Sequence, residues 1–319
     1  PINRPPPELL EVNTFKSVDL FKLRTYFRQL AEQGHNYFYE AKMLIVGEPY
    51  AGKTTLARKL LNPSAPLPAP NERTEGIDVH TWTFPVPSNS LQPVDDGQQK
   101  DDLPNHSYFR VNIWDFGGQE IYHSTHQFFL TRRSLYVVVA DAREQKTSFF
   151  HWLDSIEHLS DASPTLILNN EKEDTAWSVN ENQLRSHFAN LKEGLFAVNL
   201  ATNRGLERLR QAIQYHITHL PHVGQELPCN WVAVRKTLEN KTCDYFSLDE
   251  FLRLCDDHGF SRLEDKLQLS GYLHDLGVIL HFQEDLLLKK TVILKPEWAT
   301  DAVYRLLDSK QVQASLGRF

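Results

Sequence analysis

The stretch Gly47-Glu48-Pro49-Tyr50-Ala51-Gly52-Lys53-Thr54, with Thr55 behind it, decides how the rest of the chain is read. Glycines at 47 and 52 permit backbone geometry that a side chain would block. Successive N–H groups can then turn inward around phosphate oxygens. A helix opening at Lys53 offers its positive end to the same anion. In this spacing Lys53 reaches the β- and γ-phosphates, and the Thr54 hydroxyl is a Mg2+ ligand. The loop therefore predicts a site for a purine nucleoside triphosphate with Mg2+.

The flanks agree with that reading. Residues 41–46 (Ala-Lys-Met-Leu-Ile-Val) form a short apolar run that ends at the glycine loop, as a buried strand would, and residues 54–61 follow as a helix. Strand-like runs recur at 77–86, 108–114, 135–140, 164–168 and 195–198, with helical stretches near 147–160, 179–191 and 204–219. Strands alternating with helices of this length predict a mostly parallel, six-stranded sheet covered on both faces. The pair at 77–86 and 108–114 lacks an intervening helix and is expected to be antiparallel, joined by a long polar, acidic connection at 87–104. Upstream, residues 18–33 carry apolar residues at helical spacing and Gly34 is a stop signal.

A boundary is expected near residues 221–228. Beyond it come helices at 231–240, 247–256 and 261–275, then two short strands at 278–282 and 291–294, which is the outline of a winged helix. Another helix is expected at 296–308. Ser178 with Glu181, and Ser247 with Glu250, have the spacing of capping boxes. The expected organisation is a linker and helix over 1–38, a nucleotide-binding domain over 39–222, and a smaller α+β domain over 223–319.

Two further segments belong to the phosphate chemistry. Trp114-Asp115-Phe116-Gly117-Gly118-Gln119-Glu120 sits at a strand end. There Asp115 would hold Mg2+, the Gly118 N–H would meet the γ-phosphate, and Gln119 would orient an attacking water. Thr74, between the phosphate-loop helix and the next strand, could coordinate Mg2+ and sense the γ-phosphate. Arg73, Arg132 and Arg133 lie near these segments in sequence and read mainly as surface or nucleotide-screening charge, with an arginine finger in cis or across a dimer as the alternative. His123 and His126 have no third ligand nearby, so no zinc site is assigned.

Bulk composition sets limits. At 319 residues, 41% apolar and 24% charged, the chain is an ordinary globular protein with room for two domains. The formal charge of −7 excludes a basic nucleic-acid surface, and no apolar run is long enough for an integral membrane segment. Cys229, Cys243 and Cys255 have no metal spacing and read as free thiols of a cytoplasmic protein. The chain begins at Pro1 and its only methionine is Met43, which suggests a fragment.

Taken together these residues resemble a known family. The phosphate loop, Thr74 and residues 115–120 look like a small Ras-like GTPase domain. The detail of residues 114–123, continuing through His126-Gln127-Phe128-Phe129-Leu130, is similar to the Roc domain of Roco proteins. Trp231, residues 271–282 and residues 294–300 look like the N-terminal half of the COR domain, and Pro5-Pro6-Pro7-Glu8 resembles the linker after leucine-rich repeats. The resemblance implies binding of GTP and GDP, slow hydrolysis, and homodimerisation through COR that is weak in this piece because its C-terminal half is missing. It also implies a guanine-reading segment, here Asn169-Asn170-Glu171-Lys172-Glu173-Asp174. Two registers fit: Asn170 and Lys172 keep their roles with one residue inserted, or Glu171 stands for the asparagine. Either makes Lys172 the stem stacked on the base and Asp174 the acid. Residues 199–201 occupy the place of the loop in which the Leu200 N–H would meet the guanine O6. A nucleotide-gated scaffold without hydrolysis, and an ATP-using switch, remain open alternatives at this stage.

Overall fold

A computed structural model describes residues 20–37, 39–69, 72, 74, 76–87, 106–117, 129–141, 149–160, 163–172 and 181–307. Among them a six-stranded sheet has the order β3-β4-β2-β5-β6-β7. Its strands are β2 (Glu40–Gly47), β3 (Ile77–Pro87), β4 (His106–Phe116), β5 (Ser134–Asp141), β6 (Thr165–Asn170) and β7 (Phe196–Val198). The pairs β2–β5, β5–β6 and β6–β7 are parallel. Every residue of β2, β5 and β6 is buried, as expected of central strands covered on both faces.

β3 and β4 are antiparallel. The Gly117 N–H donates to the Gly76 carbonyl, and Phe84 stacks on Phe109 with centroids 5.4 Å apart. The same number of residues forward on one strand is matched by an equal step back on the other. The sheet is therefore mixed, with its antiparallel strand at the edge.

By internal contacts the chain forms two units. The first comprises Ala41–Trp82, Val111–Leu220 and Pro296–Phe319. It holds α2 (Lys53–Leu61), α3 (Phe149–Leu159), α4 (Glu181–His187), α5 (Leu206–Thr218) and α9 (Pro296–Leu307). The described part of α4 is shorter than the helix expected at 179–191, and Ser178 lies outside the described residues. A buried lysine braces this unit: Lys42 Nζ donates to the Phe129 carbonyl at 2.9 Å and Thr131 Oγ1 at 3.2 Å, and lies 3.7 Å from the Trp114 ring centroid.

The second unit comprises Pro1–Glu40, Thr83–Arg110 and Pro221–Lys295. Here α1 (Leu20–Gln33), α6 (Cys229–Glu239), α7 (Leu248–Asp257) and α8 (Leu263–Asp275) accompany two small antiparallel ribbons. β1 (His35–Tyr37) pairs with β8 (Glu226–Pro228), and β9 (Tyr245–Ser247) pairs with β10 (Thr291–Ile293). Trp231, Phe251, Leu269, Tyr272 and Ile279 are among its core residues. The capping box at Ser247 and Glu250 is formed in both directions. The ribbon expected from 278–282 and 291–294 is built differently: the partner of β10 is β9, and Leu280 contributes only a single bridge to Ile293. The turn after α8 uses up the backbone bonds of Val278 and Ile279, which return to Leu273. Arg235 of α6 reaches Glu40 with two hydrogen bonds and Glu239 with a third.

Candidate nucleotide-binding site

Backbone geometry makes the phosphate loop. Gly47 has φ +141°, and a Cβ there would fall 2.1 Å from the Val139 carbonyl oxygen, so the end of β2 can lie against β5 only without a side chain. Gly52 has φ +106°, and a Cβ would meet Asn170 Nδ2 at 2.5 Å. Tyr50 also takes a positive φ of 60°. Three left-handed residues in one short loop are what folds N–H groups around an anion. The α2 N-terminus follows directly, with Gly52 as its N-cap and no side-chain cap to compete for its free N–H groups.

Lys53 is 6% exposed, and its Nζ donates to the Gly47 and Glu48 carbonyls, both at 2.8 Å. Burial lowers its pKa to about 8, against the pull of Asp115 and Glu48. Thr54 Oγ1 lies 2.8 Å from Thr74 Oγ1, and Thr74 Oγ1 donates to Asp115 Oδ2 at 3.2 Å. Asp115 is fully buried, and burial raises its carboxyl to about 6, while Thr54, Lys53 and Thr74 oppose the rise. The three residues expected to hold Mg2+ thus converge. Two hydroxyls and a carboxylate form an all-oxygen donor set, which fits a hard divalent cation that keeps several waters.

Lys53, Thr54 and Thr74 line a cleft of about 830 Å³, together with Pro49, Tyr50, Thr55, Phe116 and Gly117. Its far wall is Asn170, Lys172 and residues 199–201. Asn170 Nδ2 donates to the Ala51 carbonyl at 2.9 Å, and Lys172 Nζ donates to the Tyr50 carbonyl and to Asp141 Oδ2, the latter at 2.7 Å. Glu171 instead pairs with Arg204 and is held away from the loop. Asn170 and Lys172 thus both reach the phosphate loop. The Leu200 N–H donates to Asn170 Oδ1 at 3.4 Å, so Leu200 and Asn170 are engaged with each other here. Gly118, Gln119 and Asp174 lie outside the described residues, as do Arg73, His123 and His126.

Sequence reasoning missed Asp141. It is buried at the end of β5 and holds the Lys172 ammonium, although the two residues are far apart in sequence. The signal was available: a carboxylate closing an otherwise apolar strand is expensive unless paired. Glu48 also gains a partner, accepting from Trp152 Nε1 at 3.4 Å.

Comparison with known proteins gives the same picture for both parts of the chain. Residues 42–173 match the family model "Ras of Complex, Roc, domain of DAPkinase", and residues 228–319 match "C-terminal of Roc, COR-A domain". A Roc-COR-CHAT protease of Runella zeae is 30% identical over 85% of this chain and 30% of its own length. A probable serine/threonine-protein kinase, pats1, of Dictyostelium discoideum is 27% identical over 99% of this chain and 10% of its own length. The chain thus spans only 10% to 30% of these two curated relatives. The solved structure of Methanosarcina barkeri Roco2 RocCORdC bound to GDP superposes with a TM-score of 0.75 at 32% identity, covering 90% of this chain and 82% of that one. The chain therefore belongs to the Roco family, as a Ras-like Roc domain followed by the N-terminal part of COR.

Proposed function

We propose that this chain is a guanine-nucleotide switch that binds GTP and GDP with Mg2+ and hydrolyses GTP slowly. The observation that carries the reading is the convergence of Thr54, Thr74 and Asp115 beside Lys53. A phosphate-loop hydroxyl, a hydroxyl from the following loop and a strand-end carboxylate meet at one point. Bound Mg2+ would be held by these three groups and would neutralise charge on the β- and γ-phosphates. Lys53 adds a second positive charge from a buried position, where it is poorly screened. The loop amides and the α2 N-terminus supply the remaining donors. Gln119 is assigned to orient the attacking water, and Gly118 to the γ-phosphate. Asn170 and Lys172 shape the base end of the cleft, with Asp174 accepting from the guanine and Leu200 facing its O6.

Phosphoryl transfer needs positioning and charge stabilisation more than covalent chemistry, and an added arginine finger is typically worth roughly 10³–10⁵ in rate. A site relying on its own Lys53 is accordingly slow. The domains are assigned as 39–222 for Roc and 223–319 for COR, after a lead-in at 1–38. Nucleotide state is read out through COR, which mediates a homodimer in the full-length protein and a weak one in this piece. The expected compartment is the cytoplasm. No described helix is long and apolar enough to cross a membrane.

Nucleotide extracted from the purified protein, with base and phosphate count identified, tests the assignment. Guanine nucleotide is expected, and labelled GDP should resist displacement by ADP. Equal displacement by ADP would refute the guanine reading. Single-turnover GTP hydrolysis should fall in Gln119→Leu, and unchanged turnover would remove that residue from the mechanism. Sedimentation at low micromolar concentration should show mostly monomer; a tight dimer would overturn the weak-dimer expectation.

A further inference from the structure

A second cluster of ligand-type side chains adjoins Asp115. Asp78 and His80 are two residues apart on β3 and so stand on the same face of the strand. The register fixed by Gly76 with Gly117, and by Phe84 with Phe109, sets Asp78 directly across from Asp115. One ligand atom from each of Asp78, His80 and Asp115 lies within 4.8 Å of the other two.

Two observations mark the cluster as made for a ligand. Asp115 Oδ1 and His80 Nε2 are both shielded from solvent and have no hydrogen-bond partner among the described residues. Leaving such a group unpaired forfeits its hydration without replacement. Asp78 and Asp115 are also like charges facing each other across an antiparallel pair, which is destabilising. Glu297 of α9 accepts a hydrogen bond from the Val79 N–H, which brings a third carboxylate near Asp78 and His80. A single cation would relieve all of these at once.

We propose that Asp78, His80 and Asp115 form a site for a borderline divalent metal of the Zn2+ class, separate from the Mg2+ that accompanies the nucleotide. Asp115 has two carboxylate oxygens. Oδ2 accepts from Thr74 and serves the nucleotide side, while Oδ1 is the unpaired one. The imidazole sets the metal class, because Mg2+ and Ca2+ prefer all-oxygen donors. Three protein ligands leave a position for water. Asp78 is exposed, so the cluster has an entry path. A metal here ties β3, shortly after Thr74, to the end of β4.

The proposal stands on the side-chain geometry and not on the nucleotide assignment. Its test is metal stoichiometry. The chain saturated with GDP and Mg2+ is dialysed against low-micromolar Zn2+, and zinc and magnesium are both counted. One extra zinc per chain is expected with magnesium retained, and at least a tenfold weaker affinity in both His80→Gln and Asp78→Asn. GDP affinity should stay within twofold in both variants, which confirms folding. If His80→Gln fails to fold, Asp78→Asn at its exposed position decides alone. No extra zinc in wild type, zinc gained only as magnesium is lost, or variants that bind like wild type would each overturn the site.

Discussion

Replacing Arg235 by methionine should destabilise the helical unit by about 3–5 kcal/mol. The guanidinium is 6% exposed, and it donates through Nε at 3.0 Å and Nη2 at 2.9 Å to the two oxygens of Glu40, itself 4% exposed. Each such charge-assisted bond is worth about 1.5–3 kcal/mol. Their loss leaves a buried carboxylate whose next cation, Arg110 Nε, is 3.6 Å away. Removing both charges together, as Arg235→Met with Glu40→Met, should come within about 1.5 kcal/mol of wild type, because no uncompensated charge remains. The cycle then gives a coupling of at least about 2 kcal/mol between the two positions. Because the chain forms two units, a single global unfolding curve is a poor readout. Protection of the α6 amides against hydrogen exchange reads the relevant unit directly. A single-variant loss below about 1 kcal/mol, or a double variant equal to the sum of the singles, would refute the reasoning.

Other expectations follow from the same geometry. Gly47→Ala puts a Cβ 2.1 Å from the Val139 oxygen and should weaken GDP binding at least about tenfold, through overpacking of about 1–3 kcal/mol; fluorescent GDP titration would show it. Lys172→Met removes the link between Tyr50 and Asp141, and should weaken GDP binding by about tenfold in the same titration while leaving far-UV circular dichroism unchanged. Burial pushes the Cys255 thiol up to about 12, so the fold favours the neutral form. Its contribution is intact below the ordinary thiol range near about 8.5 and is lost as pH rises, by about 2 kcal/mol at pH 10. Cys255→Ala should flatten that slope in wild-type-minus-variant denaturation, and parallel curves would count against it. Ser247→Ala should cost about 1 kcal/mol by loss of the α7 cap, read as faster exchange in that helix.

Much of the fold was legible because its signals are local. The phosphate loop, the apolar run 135–140 of β5 and the capping box at Ser247 each carry their own signature within a few residues. The pairs that escaped are distant and short. β1 and β8 hold three residues each, one containing an asparagine and the other ending in proline, and nothing local marks them as partners. β10 was recognised as a strand, but its pairing with β9 spans most of the helical unit, and register between distant segments is not written in either alone. The site shows the same division. Lys53, Thr54, Thr74 and Asp115 could be named from spacing, whereas Asp141 became visible only when β5 and β6 lay side by side. The open register of residues 170–174 had the same cause. Nothing in the segment says which side chains face the loop, and the pairing of Glu171 with Arg204 is visible only in the folded chain.

The buried Lys42 carries a consequence for motion. Its ammonium grips the chain at Phe129 and Thr131, just as the Gly76 carbonyl grips it at Gly117. The chain entering β5 therefore cannot shift without stripping a buried ammonium of these two acceptors. Lys42 acts as a tie-down that keeps the start of β5 in place beside the Trp114 ring.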